Sequence, residues 1–183
     1  MDFYKLISKG YNELYGEEQK IKHDIIKANL NIKNDDLLLD VGCGTGSDFE
    51  CKVVGIDPSM ELLQQKSNNR NSVIINNKKT LEQSSVSTPL TINKILATAE
   101  NIPFKSNIFD KVISVTSIHN FNNIKQGVKE IKRVGKKDFA FSVLKKTKHF
   151  DSIENEIKSN FSIKKIIDAN QDYIFICSKV FKQ

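Results

Sequence analysis

A short apolar run that stops at closely spaced glycines is the feature that most restricts how this chain can fold. Residues 37–41 read Leu-Leu-Leu-Asp-Val, and residues 42–46, Gly-Cys-Gly-Thr-Gly, follow at once. A nearly continuous apolar run of this length is typical of a parallel strand that is buried on both faces. Glycines at its end permit a tight turn and let a ligand approach the backbone closely. The pattern predicts an α/β sheet with a ligand site at the carboxyl edge of its first strand.

Further apolar runs alternate with helical patterns along the chain. Helices are predicted over 3–15, ending at Gly16, over 17–30, from Pro58-Ser59, over 122–134, and after a capping box of Asp151 and Glu154. Further strands are predicted at 52–57, 95–99, 111–115 and 139–144. Residues 163–167 and 173–177 are too close together for a helix between them, so they predict an antiparallel hairpin. The expected architecture is a doubly wound α/β sheet of about seven strands, mostly parallel, with that hairpin at one edge and helices within residues 1–31.

The length of 183 residues predicts one domain, spanning 1–183. Residues 67–93 break the α/β pattern, because they are polar and show no sustained periodicity. A segment that long inside a compact domain is usually functional or disordered. We therefore expect a surface insertion that is mostly mobile.

Composition excludes several classes of protein. No apolar run approaches the ~20 residues of a membrane span, and the first residues do not resemble a secretory signal. The three cysteines include no CxxC pair, which favours a reducing, cytoplasmic location over a disulfide framework. The three histidines are scattered, so we expect no metal site.

The excess positive charge lies in the last third of the chain. The formal net charge is +6, and residues 125–183 hold 14 basic and 7 acidic side chains. Lysines there could meet phosphate or an acidic partner. A lysine-rich solvated surface is the simpler interpretation.

Two cofactor classes use glycine-rich turns at this position of a sheet. A dinucleotide-binding turn has the spacing GxGxxG, or ends in Ala. Counted from Gly42, the last position of that pattern is Ser47, whereas Gly46 comes one residue early and gives GxGxG. This spacing disfavours NAD and favours S-adenosylmethionine. Asp57 ends the next strand, where its carboxylate can accept hydrogen bonds from both hydroxyls of a ribose.

The motifs resemble those of class I S-adenosylmethionine-dependent methyltransferases, especially those with the ubiquinone/menaquinone-biosynthesis type of domain. Four segments match in order, namely 39–46, 54–59, 98–104 and 109–113. The resemblance covers most of the chain. It implies a Rossmann-like fold, S-adenosyl-L-methionine as cofactor, and methyl transfer as the activity.

The resemblance also implies a role for individual residues. The first motif would surround the methionine moiety, the second would hold the ribose, and the third would lie along the adenine. The end of the fourth strand, residues 114–116, would form the floor below the sulfonium. The implied cofactor-binding residues are Asp40, Gly42, Cys43, Gly44, Gly46, Asp57, Pro58, Thr98, Ala99 and Thr116.

The chain departs from the family pattern in three places. Only residues 47–52 separate the glycines from the second strand, where the family has a helix of several turns. Thr98 stands where the family usually has Asp, and residues 67–93 form a longer segment than usual. The short segment 47–52 and Thr98 keep open an alternative function, a non-catalytic methyltransferase-fold subunit that binds RNA or a protein partner.

The acceptor of the methyl group is not specified by a motif. His119, just after the fourth strand, is the candidate catalytic group, and a loop histidine bonded to backbone is an equal alternative. The other substrate-side candidates are Tyr11, in the leading helix where the family often has an aromatic, and Lys145 and Lys146, at the carboxyl edge. A small molecule and RNA are both open as acceptors. An RNA acceptor would call for an activating partner subunit, because the sequence contains no recognisable RNA-binding domain.

Overall fold

The computed structural model describes residues 11–65, 73–75 and 93–180, which form a single mixed sheet with helices on both faces. The strands are β1 (Leu37–Val41), β2 (Lys52–Asp57), β3 (Val73–Ile75), β4 (Asn93–Leu96), β5 (Phe109–Val115), β6 (Gly135–Leu144), β7 (Phe161–Ala169) and β8 (Asp172–Lys179). The helices are α1 (Tyr11–Leu30), α2 (Met60–Leu63), α3 (Ile124–Val134) and α4 (Phe150–Asn160), with a 3-10 turn at Ile118–Asn120.

The strand order is β3-β4-β2-β1-β5-β6-β8-β7. All neighbours from β3 to β6 pair in parallel, whereas β8 is antiparallel to both β6 and β7. This confirms the predicted Rossmann-like sheet with an antiparallel edge hairpin. The order reverses at β1, which lies between β2 and β5, and the carboxyl edge beside such a strand is where open α/β sheets bind ligands.

The segment predicted as an insertion, 67–93, contributes a strand that the sequence analysis did not predict. Val73–Ile75 pairs in parallel with β4, Val73 lying opposite Asn93. Most of the remaining insertion lies outside the described residues, so the expectation that it is mobile stays a prediction.

The apolar strands are buried on both faces because each face is covered by helix. Leu39 and Val41 of β1 belong to a cluster that includes buried residues of α3 and α4. Leu38 points the opposite way, into a second cluster with Ile26 and Leu30 of α1. Opposite orientations of successive residues follow from the two-residue period of a strand. The uninterrupted apolar run of β1 therefore reflects a three-layer arrangement.

Several helix ends differ from the sequence-based predictions. Gly16 does not end a helix, because α1 runs through it from Tyr11 to Leu30. Asn123, not Asn122, caps α3, and its side chain accepts a hydrogen bond from the amide of Gln126. The predicted capping box at Asp151 is wrong, since α4 begins at Phe150 and its N-cap, His149, makes no side-chain cap.

One shorter helix begins as the sequence predicts. Ser59 caps α2 as predicted, although α2 is only a four-residue turn. In the part of the chain that the structure describes, no helix is both long and apolar enough to cross a membrane.

Candidate cofactor site

The glycine turn after β1 has a backbone that only glycines adopt readily. Gly42, Gly44 and Gly46 have φ angles of +77°, +54° and +108°. The amides of Gly42 and Cys43 both donate to the carbonyl of Ile56, at 2.8 and 3.0 Å, which ties the turn to the end of β2. From this turn to the start of β2 the chain forms no helix, as the short segment 47–52 led us to expect.

The first two glycines serve different purposes. A Cβ at Gly42 would lie 2.4 Å from the Cβ of Ser117. This position must therefore lack a side chain if the turn is to pack against the residues that follow β5. A Cβ at Gly44 would meet only a methyl group of Leu62, at 3.9 Å. Gly44 therefore faces open space, where its backbone is accessible to a ligand.

Asp57, at the end of β2, is buried and braces the same turn. Its Oδ2 accepts from the amide of Gly44 at 2.9 Å, and its Oδ1 accepts from the amide of Ser59 at 2.8 Å. A carboxylate oxygen has two lone pairs and can accept more than one hydrogen bond.

A cavity of about 420 Å³ opens at this edge of the sheet. Its volume lies within the range of small-molecule sites, roughly 300 to 1,000 Å³. Its lining includes polar and apolar groups from four segments of the chain: Gly42, Gly44, Asp57, Pro58, Ser59, Leu62, Ala97, Thr98, Ala99, Glu100, Val115, Thr116, Ser117, Asn120, Phe121 and Asn122.

A second cavity, of about 370 Å³, lies between α1 and the glycine turn. It shares Gly42, Gly44 and Val115 with the first, so the two cavities adjoin at the turn. Its remaining lining residues are Gly16, Gln19, Lys20, His23, Asp24, Lys27, Asp40, Cys43, Thr45, Gly46 and Asp48.

Asp40 is a buried carboxyl group in the wall of the second cavity. It is 3% exposed, and its Oδ1 has no hydrogen-bond partner among the described residues. Burial raises the pKa of Asp40 from 3.8 to about 7, and the charge of Asp57 adds to this effect. The nearby Ser47 hydroxyl acts in the opposite direction on the pKa of Asp40, although Ser47 and Asp40 do not form a hydrogen bond in this structure. An unpartnered oxygen of this kind is suited to pair with a cationic group of a ligand.

Two other titratable groups in the second cavity are held uncharged. Burial, followed by the charge of Lys27, lowers the pKa of His23 from 6.5 to about 4, so the imidazole is neutral near pH 7. Burial raises the pKa of the Cys43 thiol well above its usual range. Because a Cβ at Gly55 would lie 2.6 Å from the Cys43 sulfur, that side chain packs against β2. Cys43 is thus a packing residue of the turn and not an activated nucleophile.

Lys94 is a fully buried lysine beneath the glycine turn. Its Nζ donates to the carbonyl oxygens of Thr45, Leu63 and Gln65, at 2.6, 3.3 and 3.2 Å. All three ammonium hydrogens can thus be satisfied, although burial lowers the pKa of Lys94. The Lys94 side chain thus links the glycine turn to β4 and α2.

Thr116, on the floor of the first cavity, has a backbone that β-branched residues rarely adopt. Its φ angle is +51°. Holding a non-glycine residue there costs about 1–3 kcal/mol and is a feature of functional sites. The Thr116 hydroxyl accepts from Lys22 Nζ at 2.9 Å and donates to Asp172 Oδ2 at 2.9 Å. Lys22 and Asp172 are themselves buried, at 1% and 0% exposure.

The structure brings the predicted cofactor residues together. Those assigned to the first motif line the second cavity, and two of them, Gly42 and Gly44, also line the first. Those assigned to the second and third motifs, with Thr116, line the first cavity. Their roles in binding stay predictions.

Three of the four substrate-side candidates lie outside both cavities. His119 lines neither, and its Nδ1 is buried without a hydrogen-bond partner among the described residues. Burial lowers the pKa of His119. Lys145 forms an ion pair with Asp168, at 2.6 Å, and Lys146 is exposed. The side chain of Tyr11 lies outside the described residues.

Sequence reasoning missed the groups that brace the site from within the protein. Lys94 was the easiest of these to recognise from the sequence, because it directly precedes the apolar strand predicted at 95–99. A charge at such a position signals a buried donor with several acceptors. Lys22 and Asp172 carried no comparable signal, since both lie in polar surroundings in the sequence.

Comparison with known proteins defines the class. Residues 39–142 match the profile of a family described as a methyltransferase domain. That match covers more than half of the 183 residues, and the chain belongs to this family.

One curated relative is an uncharacterised protein of Methanocaldococcus jannaschii. It is 31% identical over 174 residues, which is 92% of this chain and 60% of the relative. This chain thus spans only about three fifths of that relative's length.

Two solved structures share the fold at low sequence identity. A candidate methyltransferase of Haloferax volcanii, in complex with the Trm112 methyltransferase activator, aligns with a TM-score of 0.71 and 11% identity, over 98% of this chain and 97% of that one. A candidate S-adenosyl-L-methionine-dependent methyltransferase of Methanococcus maripaludis aligns with a TM-score of 0.66 and 16% identity, over 98% and 93%. At these identities the likeness establishes the fold alone.

Proposed function

We propose that this chain binds S-adenosyl-L-methionine across the two adjoining cavities and transfers its methyl group to an acceptor. The observation that carries the proposal is that each cavity contains one buried carboxyl group and that the two cavities meet at the same glycine turn. Asp57 lies in the first cavity and Asp40 in the second. The cofactor has a ribose diol and, at its other end, an ammonium group, which are complementary to these carboxyl groups.

The first cavity suits the adenosine end. Asp57 would accept from the ribose hydroxyls, and Thr98 and Ala99 would lie along the adenine. Leu62 and Phe121 add apolar surface to the same cavity. The hydroxyl of Thr98 can accept from the adenine amino group but without a charge, so this contact is weaker than a carboxylate would make.

The second cavity suits the methionine end. The unpartnered Oδ1 of Asp40 would accept from the ammonium group, a charge-assisted bond that satisfies a buried oxygen. Lys20 and Lys27 line the same cavity and supply positive charge for the carboxylate. Gly42, Gly44 and Val115 line both cavities. A cofactor that spans the two would therefore have its sulfonium near these residues, close to the floor at Thr116.

The chemistry is an in-line displacement. The bound cofactor would supply an activated methyl group, which a lone pair of the acceptor would displace while the sulfur keeps the electron pair of the broken bond. Positioning of the acceptor in line with that bond supplies much of the acceleration. A base is required only when the acceptor must lose a proton, so His119 is a candidate for that step and not a requirement of the mechanism.

The acceptor class is a small molecule or RNA, and a partner subunit is part of the proposal. The Haloferax protein was solved in complex with the Trm112 methyltransferase activator. The fold shared with it supports testing whether this chain also requires an activator. We propose a cytoplasmic site of action, on the basis of the unpaired cysteines.

A second candidate function is a non-catalytic subunit that binds RNA or a protein partner. The observation that favours it is the missing helix after the glycine turn, where residues 47–51 form no helical element. Under this alternative the cavities persist as a remnant of the fold and bind no cofactor.

Calorimetric titration with S-adenosylhomocysteine separates the two functions. The proposal predicts micromolar binding to the wild-type protein, and a loss of about tenfold or more in Asp57→Asn, because a hydrogen bond to a charged group contributes roughly 1.5–3 kcal/mol. Asp110→Asn is the matched control, since Asp110 is a strand carboxylate at the amino edge of β5. NAD should not compete. Absence of binding up to millimolar concentration would refute cofactor binding by this chain alone and favour the non-catalytic subunit.

A further inference from the structure

A buried ion pair lies directly behind the floor of the first cavity. Lys22 Nζ is 3.1 Å from Asp172 Oδ1 and 2.6 Å from Glu18 Oε1, and it also donates to the hydroxyl of Thr116. Asp172 Oδ2 accepts from both Thr116 and Ser142 hydroxyls. The network joins α1, the end of β5, β6 and the first residue of β8.

The arrangement costs free energy twice. Burying a charge pair is unfavourable unless the geometry satisfies its donors and acceptors. Thr116, a β-branched residue, is held at a φ angle of +51°, which such residues rarely adopt. Strained backbone of this kind persists only where its surroundings enforce it. The buried ion pair and the strained backbone meet at the Thr116 hydroxyl, to which both Lys22 and Asp172 are hydrogen-bonded.

The left-handed turn at Thr116 decides where Ser117 lies. The Ser117 hydroxyl donates to the carbonyl of Val41 at 2.8 Å, and the Ser117 Cβ occupies the space that a side chain at Gly42 would need. A change of φ at Thr116 would move Ser117 relative to Gly42. The conformation of Thr116 is therefore transmitted to the glycine turn that separates the two cavities.

We propose that Lys22 and Asp172 are positioning residues of the cofactor site, which hold Thr116 in the left-handed conformation and thereby fix Ser117 against the glycine turn. They act through Thr116, since neither residue lines the first or the second cavity. Because Lys22 belongs to α1, the same pair fixes the helix that walls the second cavity. The inference rests on the proposed function, because its effect is measured as cofactor affinity.

Three variants test the proposal by titration with S-adenosylhomocysteine. Lys22→Met removes the cation at similar volume. Lys111→Met is the matched control, because Lys111 Nζ forms a largely buried pair with Asp138, at 2.7 Å, near the opposite end of β5. The double variant Lys22→Met/Thr116→Gly places a residue that adopts positive φ freely where the network has been broken.

The expected results distinguish positioning from general stability. Lys22→Met should weaken binding about tenfold, which is the size of effect expected when the surroundings no longer hold one strained residue in its conformation. Lys111→Met should lower the melting temperature and leave the affinity within about twofold of wild type. The double variant should bind within about twofold of its reference, the single variant Thr116→Gly, because glycine needs no network to hold it at positive φ. Wild-type affinity in Lys22→Met, or a further tenfold loss in the double variant relative to Thr116→Gly, would overturn the proposal. If Lys22→Met does not fold, Ser142→Ala removes a single donor to Asp172 and takes its place.

A ligand-free measurement separates this proposal from the proposed function. If the wild-type protein does not bind S-adenosylhomocysteine, the cofactor assignment fails. The positioning role still predicts that the amides of residues 116–118 exchange hydrogen faster in Lys22→Met than in wild type. The amide of Thr116 donates to the carbonyl of Ser142 at 3.0 Å, which provides a reporter. Lys22→Met should accelerate this exchange and Lys111→Met should not. Equal acceleration in both variants would overturn the positioning role.

Discussion

Replacing Asp40 with Asn is expected to stabilise the ligand-free protein above neutral pH and to weaken cofactor binding. Burial raises the pKa of Asp40 from 3.8 to about 7 in the folded protein. Between these values the folded state binds more protons than the unfolded state, so unfolding becomes easier as pH rises. A difference of about three pKa units corresponds to roughly 4 kcal/mol of lost stability once the pH exceeds both values. Asn has no charge to desolvate at any pH.

The measurable quantity is how much the effect of Asp40→Asn on the free energy of unfolding changes between two pH values. Most of the loss falls between pH 5 and pH 8, so Asp40→Asn should gain about 2 to 3 kcal/mol more, relative to wild type, at pH 8 than at pH 5. Urea unfolding at both pH values measures this difference, and groups common to both proteins cancel. The same variant should bind S-adenosylhomocysteine about tenfold or more weakly, through loss of a charged hydrogen bond.

Asp110→Asn is a control of opposite sign. Burial by itself raises the pKa of Asp110, but its hydrogen bonds to Lys136 and the Leu37 amide, with the Lys136 charge, lower the pKa overall. Its contribution to stability is present above the unfolded pKa and is lost as pH falls through the folded pKa. Asp110→Asn should therefore destabilise the protein equally at pH 5 and pH 8. An Asp40→Asn effect that is also equal at the two pH values, or destabilisation at pH 8, would refute the reasoning.

Three further substitutions test other parts of the account. Lys94→Met should remove the buried donor to three backbone carbonyls, so urea unfolding should show a loss of about 3 kcal/mol or more in the free energy of unfolding. Binding of S-adenosylhomocysteine should also weaken, because the glycine turn loosens. Unchanged affinity would mean that Lys94 does not hold the turn. Gly44→Ala puts a methyl group at a φ angle of +54° in open cavity space, so titration should show weaker binding with about 1 kcal/mol lost in stability, and tighter or equal binding would argue against a ligand at this turn. Gly16→Ala in the interior of α1 meets no atom within 4 Å, so thermal unfolding should show a gain of about 0.5–1 kcal/mol, and a loss would mean that Gly16 is required for its conformation.

Features set by local sequence were predicted well. The apolar run of β1, the glycine spacing and the closing hairpin all depend on residues within a few positions of one another, and the sheet order confirms the fold that they implied. The boundaries were less accurate: β4 ends at Leu96, where residues 95–99 were predicted, and β6 begins at Gly135, before the predicted 139.

Features set by long-range contacts were not predicted. Gly16 was expected to end a helix from its propensity, yet α1 continues through it, packed at Ile26 and Leu30 against the sheet. Tertiary packing overrides local propensity in such cases. The partners of Lys94 lie 29 to 49 residues away and Asp172 meets Thr116 across 56 residues, so no local pattern marks them. The bracing of the site is for this reason visible only in the fold.

The most direct test of the central claim is a crystal structure of the protein with S-adenosylhomocysteine. The account predicts one ligand spanning both cavities, with its ribose hydroxyls at the Asp57 carboxylate and its ammonium group at Asp40 Oδ1. A ligand confined to one cavity with these carboxylates uncontacted, or a structure with no ligand bound at millimolar concentration, would contradict it.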